Sequence, residues 1–327
     1  MHVLASITEA LDQHPGHLPF AIEARRDTIV LTYATGQGAT FLREPIDGVV
    51  LSYHHMKSPG FGISTKGIGD GVKLNYCIAG RLEVSMADGR TLFMSPGDLS
   101  VETSTAWKFS FPCGFYEGIE LFLHRSSLDS PPPFFEECGI DLKRLVSRLG
   151  NDRMRNWTRT ADERTARLFT ELLPKAGDCE QARLRLTCAL LLLALADFGV
   201  PCRESDSAIF SKRQVSIAKQ AESLLTDDLS RRRSIADVAA QLGVKPTTLK
   251  EYFKGVYGKC ISDYLLDARM SRADEMLREQ DMPVADVARS LGYSHVGKFC
   301  EAFKRRFGAT PLKYRQQSRN PSCGPLD

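Results

Sequence analysis

Residues Ile235–Val244 read IADVAAQLGV, and residues Val284–Tyr293 read VADVARSLGY. At a shift of 49 positions Leu242-Gly243 falls on Leu291-Gly292. After the glycine the shift becomes 50, so that Leu249 meets Phe299, Phe253-Lys254 meets Phe303-Lys304, Gly258 meets Gly308 and Tyr264 meets Tyr314. The second copy thus carries one extra residue just after its glycine, where a turn tolerates a change of length.

Each copy has the pattern of two helices joined by a tight turn. In the first, Ile235, Val238, Ala239 and Leu242 share one helical face. Gly243, like Gly292, suits the left-handed residue that ends a helix. Leu249 and Phe253, or Phe299 and Phe303, then stand at i, i+4 and point one way along a second helix. Ala239 and Ala288 are small where two helices must cross closely. The outer face of the second helix is left free, as a helix that enters a DNA major groove requires. A solenoid would also repeat a helical pair, but two copies are few for one, and here the outer faces differ while the inner ones match.

With 327 residues, 43% apolar and 25% charged, the chain is sized for about two globular domains. Its longest apolar run, Ala189–Val200, is broken by Asp197 and falls short of the roughly 20 residues that span a bilayer. The first residues lack a basic start followed by an apolar block, so the expectation is a cytoplasmic protein that does not engage a membrane. None of the nine cysteines forms a C-x-x-C pair, which fits reduced thiols. Charge is uneven: from Ile209 onward there are 21 Lys and Arg against 14 Asp and Glu, while the preceding part is acidic. A basic back half points to a polyanionic partner.

Up to about His124 the chain reads as β-rich. RLEVSM, ADGR and TLFM form a strand–turn–strand pattern, and several strands at about ten-residue spacing suggest a small barrel or sandwich. Pro131-Pro132-Pro133 marks the exit, since proline continues neither strand nor helix. Helical periodicity follows over Asp141–Leu149, Asp162–Leu173 and Cys179–Phe198. The last is apolar over most of its circumference, which suits either a core helix packed on two sides or a dimer interface. Gly199–Val215 reads as a polar linker, and Ser262–Glu279 as one long helix.

Residues Ala285–Arg315, ADVARSLGYSHVGKFCEAFKRRFGATPLKYR, resemble the signature of the AraC-type transcriptional regulators. The resemblance rests on Gly292-Tyr293, on Phe299 with Phe303-Lys304, and on Gly308, Pro311 and Tyr314-Arg315. More loosely, Asn75–Thr103 resembles the barrel segment of the siderophore-responsive subgroup. The implied fold is α+β. It has a cupin-like β-barrel sensor at 1–130, a helical connector or dimerisation segment at 131–208, an all-α domain with two helix-turn-helix units at 209–318 and a flexible tail at 319–327.

The resemblance also implies roles. Thr247, Lys250 and Glu251 in the first unit, and His295, Val296, Gly297, Lys298, Cys300 and Glu301 in the second, would read bases. Lys254, Lys304, Arg305 and Arg306 would hold phosphates. Val296-Gly297 departs from the longer polar side chains common in the family, which favours readout of DNA shape. Double-stranded DNA, RNA polymerase, a small-molecule effector and a second copy of the chain are the implied partners, with activation and repression both open as the outcome. Arg81, Trp107, Lys108, Phe109, Phe111 and Tyr116 are the expected effector contacts, suited to an acidic or metal-chelated molecule such as a ferric siderophore. His54, His55, His124, Glu83, Glu102 and Glu120 lack metal-ligand spacing, so no resident metal or cofactor is expected. Two other readings stay open: an architectural DNA-binding protein without an effector, and a cupin-type enzyme with a DNA-binding tail.

Overall fold

The computed structural model describes residues 20–25, 28–33, 37–57, 63–64, 71–86, 89–102, 108–149, 156–174, 180–197 and 209–319. The chain divides into two compact units, residues 1–212 and 213–327.

The first unit holds an antiparallel sheet of eight strands. Its spatial order is β1 (Phe20–Arg25), β2 (Thr28–Tyr33), β3 (Gln37–Ile46), β4 (Val49–Lys57), β11 (Phe115–His124), β6 (Gly71–Gly80), β9 (Asp98–Glu102) and β12 (Asn156–Thr160). A second sheet runs β13 (Ile209–Phe210), β8 (Thr91–Met94), β7 (Leu82–Ser85), β10 (Lys108–Ser110) and β5 (Ile63–Ser64). The expected hairpin is present: β7 and β8 pair with Leu82 opposite Met94, and Gly89 in the turn has φ +84°.

Alternation along the central strands sends side chains to two different interiors. Val72, Leu74, Tyr76, Leu99, Val101, Ile119, Leu121 and Leu123 face helices α3 (Leu142–Leu149), α4 (Glu163–Glu171) and α5 (Glu180–Asp197). From the other face Met56, Cys77 and Tyr116 join Leu82, Val84, Leu92 and Phe109 of the smaller sheet. Two short helices, α1 (Arg125–Asp129) and α2 (Pro133–Glu137), connect β11 to α3.

Four expectations need correction. Among the described residues neither sheet closes into a barrel, because β12 pairs with β9, Trp157 opposite Val101, and extends the sheet. That strand lies inside the stretch read as purely helical; five residues are too few for a periodicity to declare itself. Pro133 does not simply break structure but opens α2 at its first position, where no amide hydrogen is needed. The expected linker ends early, since Ile209-Phe210 pairs with β8 and α6 (Lys212–Thr226) starts at once.

The second unit is helical: α6, α7 (Ile235–Gln241), α8 (Pro246–Tyr257), α9 (Ile261–Glu279), α10 (Val284–Ser290), α11 (Val296–Phe307) and α12 (Pro311–Arg319). The repeat reappears as geometry. Val244 N donates to Ala239 O, and Tyr293 N to Ala288 O, each over 3.0 Å. Gly258 and Gly308 end α8 and α11 at φ +73° and +75°, with amides that donate to Lys254 O and Lys304 O over 2.8 Å. Phe253 lies 4.6 Å from Tyr257 and 5.3 Å from Tyr264, ring centre to ring centre. Phe303 lies 4.4 Å from Phe307 and 5.3 Å from Tyr314. Helix α9 serves both copies: Tyr264 near its start completes the first aromatic cluster, and Met270, Ala273, Met276 and Leu277 enter the core of the second.

The two turn glycines are not equivalent. Gly243 has φ +66° with nothing within 4 Å of an added Cβ; Gly292 has φ +77°, and a Cβ there would meet Ser230 O at 2.6 Å. Gly243→Ala is therefore expected to cost about 1–2 kcal/mol, the left-handed penalty alone. Gly292→Ala should cost clearly more, since backbone must shift. Chemical denaturation of both variants decides it, and equal losses would mean that the Ser230 segment yields freely.

Candidate nucleic-acid interface

In both helical pairs the second helix buries one face and exposes the other. On α8 the buried residues are Leu249, Phe253, Val256 and Tyr257; on α11 they are Phe299 and Phe303. Thr247, Lys250, Glu251 and Lys254 lie on the exposed face of α8. His295, Val296, Gly297, Lys298, Glu301, Lys304, Arg305 and Arg306 are exposed on or beside α11. Cys300 differs: it is half-buried and packs against the core of the second pair, so it is less open to a groove than its neighbours.

Ion pairing separates these faces from α9 and α10. Lys259 pairs with Asp267 at 2.5 Å, Arg272 with Glu275 at 2.7 Å, Arg278 with Asp274 at 2.5 Å and Arg289 with Asp286 at 2.6 Å. These ion pairs belong to α9, α10 and the approach to α9. Among the described residues none falls on α8 or α11, although α11 carries Lys298, Lys304, Arg305 and Arg306 against Glu301 alone. The last three also sit in the final turn, where cations favour the helix dipole. Ser234 caps α7 by accepting from Asp237 N at 3.1 Å, whereas neither Lys245 before α8 nor His295 before α11 offers a side-chain cap. Side-chain caps are also missing at α9 and α10. First-turn amides left this way can meet a phosphate.

A family model described as "Helix-turn-helix domain" matches residues 238–317, the span of both helical pairs. The probable transcription factor PqrA of Proteus vulgaris is 31% identical over 87 residues, which cover 27% of this chain and 71% of that one. The chain belongs to the AraC-type regulators. Two further relatives are the HTH-type transcriptional regulator ExsA of Pseudomonas aeruginosa, 34% identical over 82 residues, and the regulatory protein PocR of Salmonella typhimurium, 34% identical over 101. The match covers 25% of this chain and 30% of ExsA, and 31% of this chain and 32% of PocR. It thus spans about a third of the length of these relatives.

The end of the AraC-type signature builds core rather than surface. Tyr314 packs on Phe303 and Phe307 and accepts a hydrogen bond from Arg278, while the Arg315 guanidinium donates to Met282 O.

Arg81 is buried, donates to the Ser95 hydroxyl and lies 5.4 Å from the centre of the Phe93 ring. Burial lowers its pKa from the usual arginine value. Phe109, Phe111 and Tyr116 do meet, in the interior between the two sheets, with Phe111 stacked on Tyr116 at 5.5 Å. Lys108 lies on β10, opposite Ser85 of β7 and Ser64 of β5. Trp107 lies outside the described residues. The sequence reading missed Lys73 and Asn75, both buried on the same face of β6. Their alternation with apolar residues in VKLNYC was the available signal, and it looked like an ordinary solvent-facing edge.

Among the described residues, no group of three or more His, Cys, Asp or Glu could hold a metal ion, and no helix is long and apolar enough to cross a membrane.

Proposed function

We propose that this AraC-type chain is a sequence-specific DNA-binding transcriptional regulator, not an enzyme, and that it answers to a small molecule held in its first unit. The observation that carries the reading is the pair of matched helices, α8 and α11, each with a buried aromatic face and an outer face free of ion pairs. In this reading the two helix pairs are helix-turn-helix units whose second helices enter successive major grooves. Thr247, Lys250, Glu251, His295, Val296, Gly297, Lys298 and Glu301 face the bases, with Cys300 at the edge of that set. Lys254, Lys304, Arg305 and Arg306 hold phosphates. An added Cβ on Gly297 would meet nothing within 4 Å, so packing does not call for glycine there. Close approach of the helix backbone to DNA would. The chain acts as a homodimer that engages RNA polymerase, and the second copy is expected on the face of α5 that exposes Leu186 and Leu190.

Selection from random duplexes with the full chain at near-physiological salt tests this. The expected product is a motif of two boxes about one helical turn apart. No motif, with or without candidate effectors, would favour an architectural role. Two substitutions separate the contact classes. Lys250→Ala is expected to cost about 1–3 kcal/mol on the selected site and to relax one base position. Lys304→Ala should weaken all DNA alike and lower the salt slope by about one. Equal losses on selected and random DNA would remove Lys250 from the base-reading set.

A further inference from the structure

The interior between the two sheets contains an unusual set of polar side chains. They lie side by side on one face of the larger sheet: Thr40 on β3, His54 on β4, Glu120 on β11, Lys73 and Asn75 on β6, and Ser100 and Glu102 on β9. Lys73 stands directly opposite Glu102, Asn75 opposite both Ser100 and Glu120, and Thr40 opposite His54. Glu102 is 1% exposed and Lys73 7%. A charge taken so far from water is costly unless it is paired and hydrogen-bonded.

Most of the set is satisfied. The Lys73 ammonium lies 3.4 Å from Glu120 Oε2 and 4.8 Å from the centre of the Phe109 ring. His54 Nδ1 shares a 2.9 Å hydrogen bond with the Thr40 hydroxyl, and His54 Nε2 lies 3.9 Å from Glu120 Oε2. Tyr116 donates to Asn75 Oδ1 over 2.7 Å. Glu102 Oε1 accepts from the Ser100 hydroxyl over 3.0 Å. Glu102 Oε2 is different: it is fully buried and has no hydrogen-bond partner.

The charges leave the same remainder. Burial depresses the His54 pKa and disfavours a second cation here, so Lys73 is the one ammonium facing the two carboxyl groups. Lys73 ion-pairs with Glu120 and reaches Glu102 only through its field, so Glu102 Oε2 is left as a buried acceptor without a donor. At the same face Phe109 lies against the Lys73 ammonium, Tyr116 bonds Asn75 and Phe111 stacks on Tyr116, aromatic groups suited to an apolar body or a cation.

We infer that Glu102 Oε2 is the anchor for a small organic cation, an ammonium or amidinium carried on an apolar or aromatic body, and that this cation is the effector of the first unit. The inference rests on the effector-sensing reading above. It replaces the acidic or metal-chelated molecule expected from Arg81 and Lys108 with one of opposite charge. The ligand's N–H donates to Glu102 Oε2, its charge balances the second carboxylate, and no covalent step is involved.

The test uses the full chain with benzylamine, butylamine and benzamidine, alongside benzyl alcohol and benzoate as neutral and anionic counterparts. Both tryptophans, Trp107 and Trp157, lie in residues 1–212, so fluorescence-monitored unfolding reports on this unit. At least one of the cations is expected to raise the midpoint, while the alcohol and the carboxylate leave it unchanged. Glu102→Gln, of equal volume, should weaken the cation by about ten- to a hundred-fold. Lys73→Met should preserve or tighten its binding. A response to benzoate that Lys73→Met removes would overturn the cationic assignment and leave the effector-sensing reading standing. Cation binding unaffected by Glu102→Gln would overturn the anchor. No response to any of the five would overturn the inference, while the DNA selection tests the regulator reading separately.

Discussion

Phe303→Ala is expected to bring the C-terminal unit close to unfolding. The side chain is fully buried at the centre of the second core, in ring contact with Phe299, Phe307 and Tyr314. Removing such a ring costs about 3–5 kcal/mol, from lost transfer energy and the cavity left behind. That is a large part of the roughly 5–15 kcal/mol that holds a typical domain together. Phe253 occupies the matching place in the first pair, against Tyr257 and Tyr264, so Phe253→Ala should behave alike. Phe307→Ala should be milder, because that ring is only half-buried. Guanidinium unfolding followed by far-UV circular dichroism measures all three, and tryptophan fluorescence follows the first unit in the same samples. A loss below about 1 kcal/mol for Phe303→Ala would show that the core closes over the cavity, against the rigid packing argued here.

The second large effect concerns Glu102 and pH. Burial pushes its pKa up to about 7, against Lys73, which lowers it, and with Glu120, which raises it further; the Ser100 hydrogen bond lowers it. In the unfolded chain the same carboxyl ionises near the ordinary value of about 4.3. Between those two values the folded state holds a proton that the unfolded state has lost, so stability falls as pH rises through this window and levels off above it. His54 acts in the opposite sense. Its lowered pKa means that the unfolded state gains a proton first, which removes stability as pH falls below the ordinary histidine range. The two effects partly cancel in the wild-type profile, and a comparison with Glu102→Gln isolates the carboxyl. The variant should gain on the wild type by about 2–3 kcal/mol between pH 5 and pH 8, followed by tryptophan fluorescence without ligand. A gap that stays constant over that range would mean that Glu102 is ionised at both ends, with water or another group at its free oxygen. Adding the cationic ligand should close the gap, because the ligand stabilises only the ionised wild type.

The C-terminal unit could be read almost entirely from its sequence. Helical periodicity, the turn glycines at 243 and 292, the capping glycines at 258 and 308 and the spacing of Phe253, Phe303 and the two tyrosines are local codes. Each fixes a helix end or a buried face within a few residues, and the repeat states the same code twice. Exposure of the candidate DNA-facing residues followed from the same periodicity, and only Cys300 turned partly inward. The absence of ion pairs on α8 and α11 could not be foreseen, since Lys–Glu spacing along a chain does not say which rotamers meet.

The first unit divides differently. Alternation marked the region as β-rich and identified the hairpin of β7 and β8. It could not say that a second sheet covers the face that carries Lys73, Asn75 and Glu102, nor that β12 would extend the first sheet beside β9. Those depend on pairings between segments far apart in the chain. The sequence alone determined the two helical pairs and the β7–β8 hairpin, because their signals repeat within one turn or one pleat. Tertiary structure alone decided which polar residues lose their water, because burial is a property of what packs above a face and not of the residues on it.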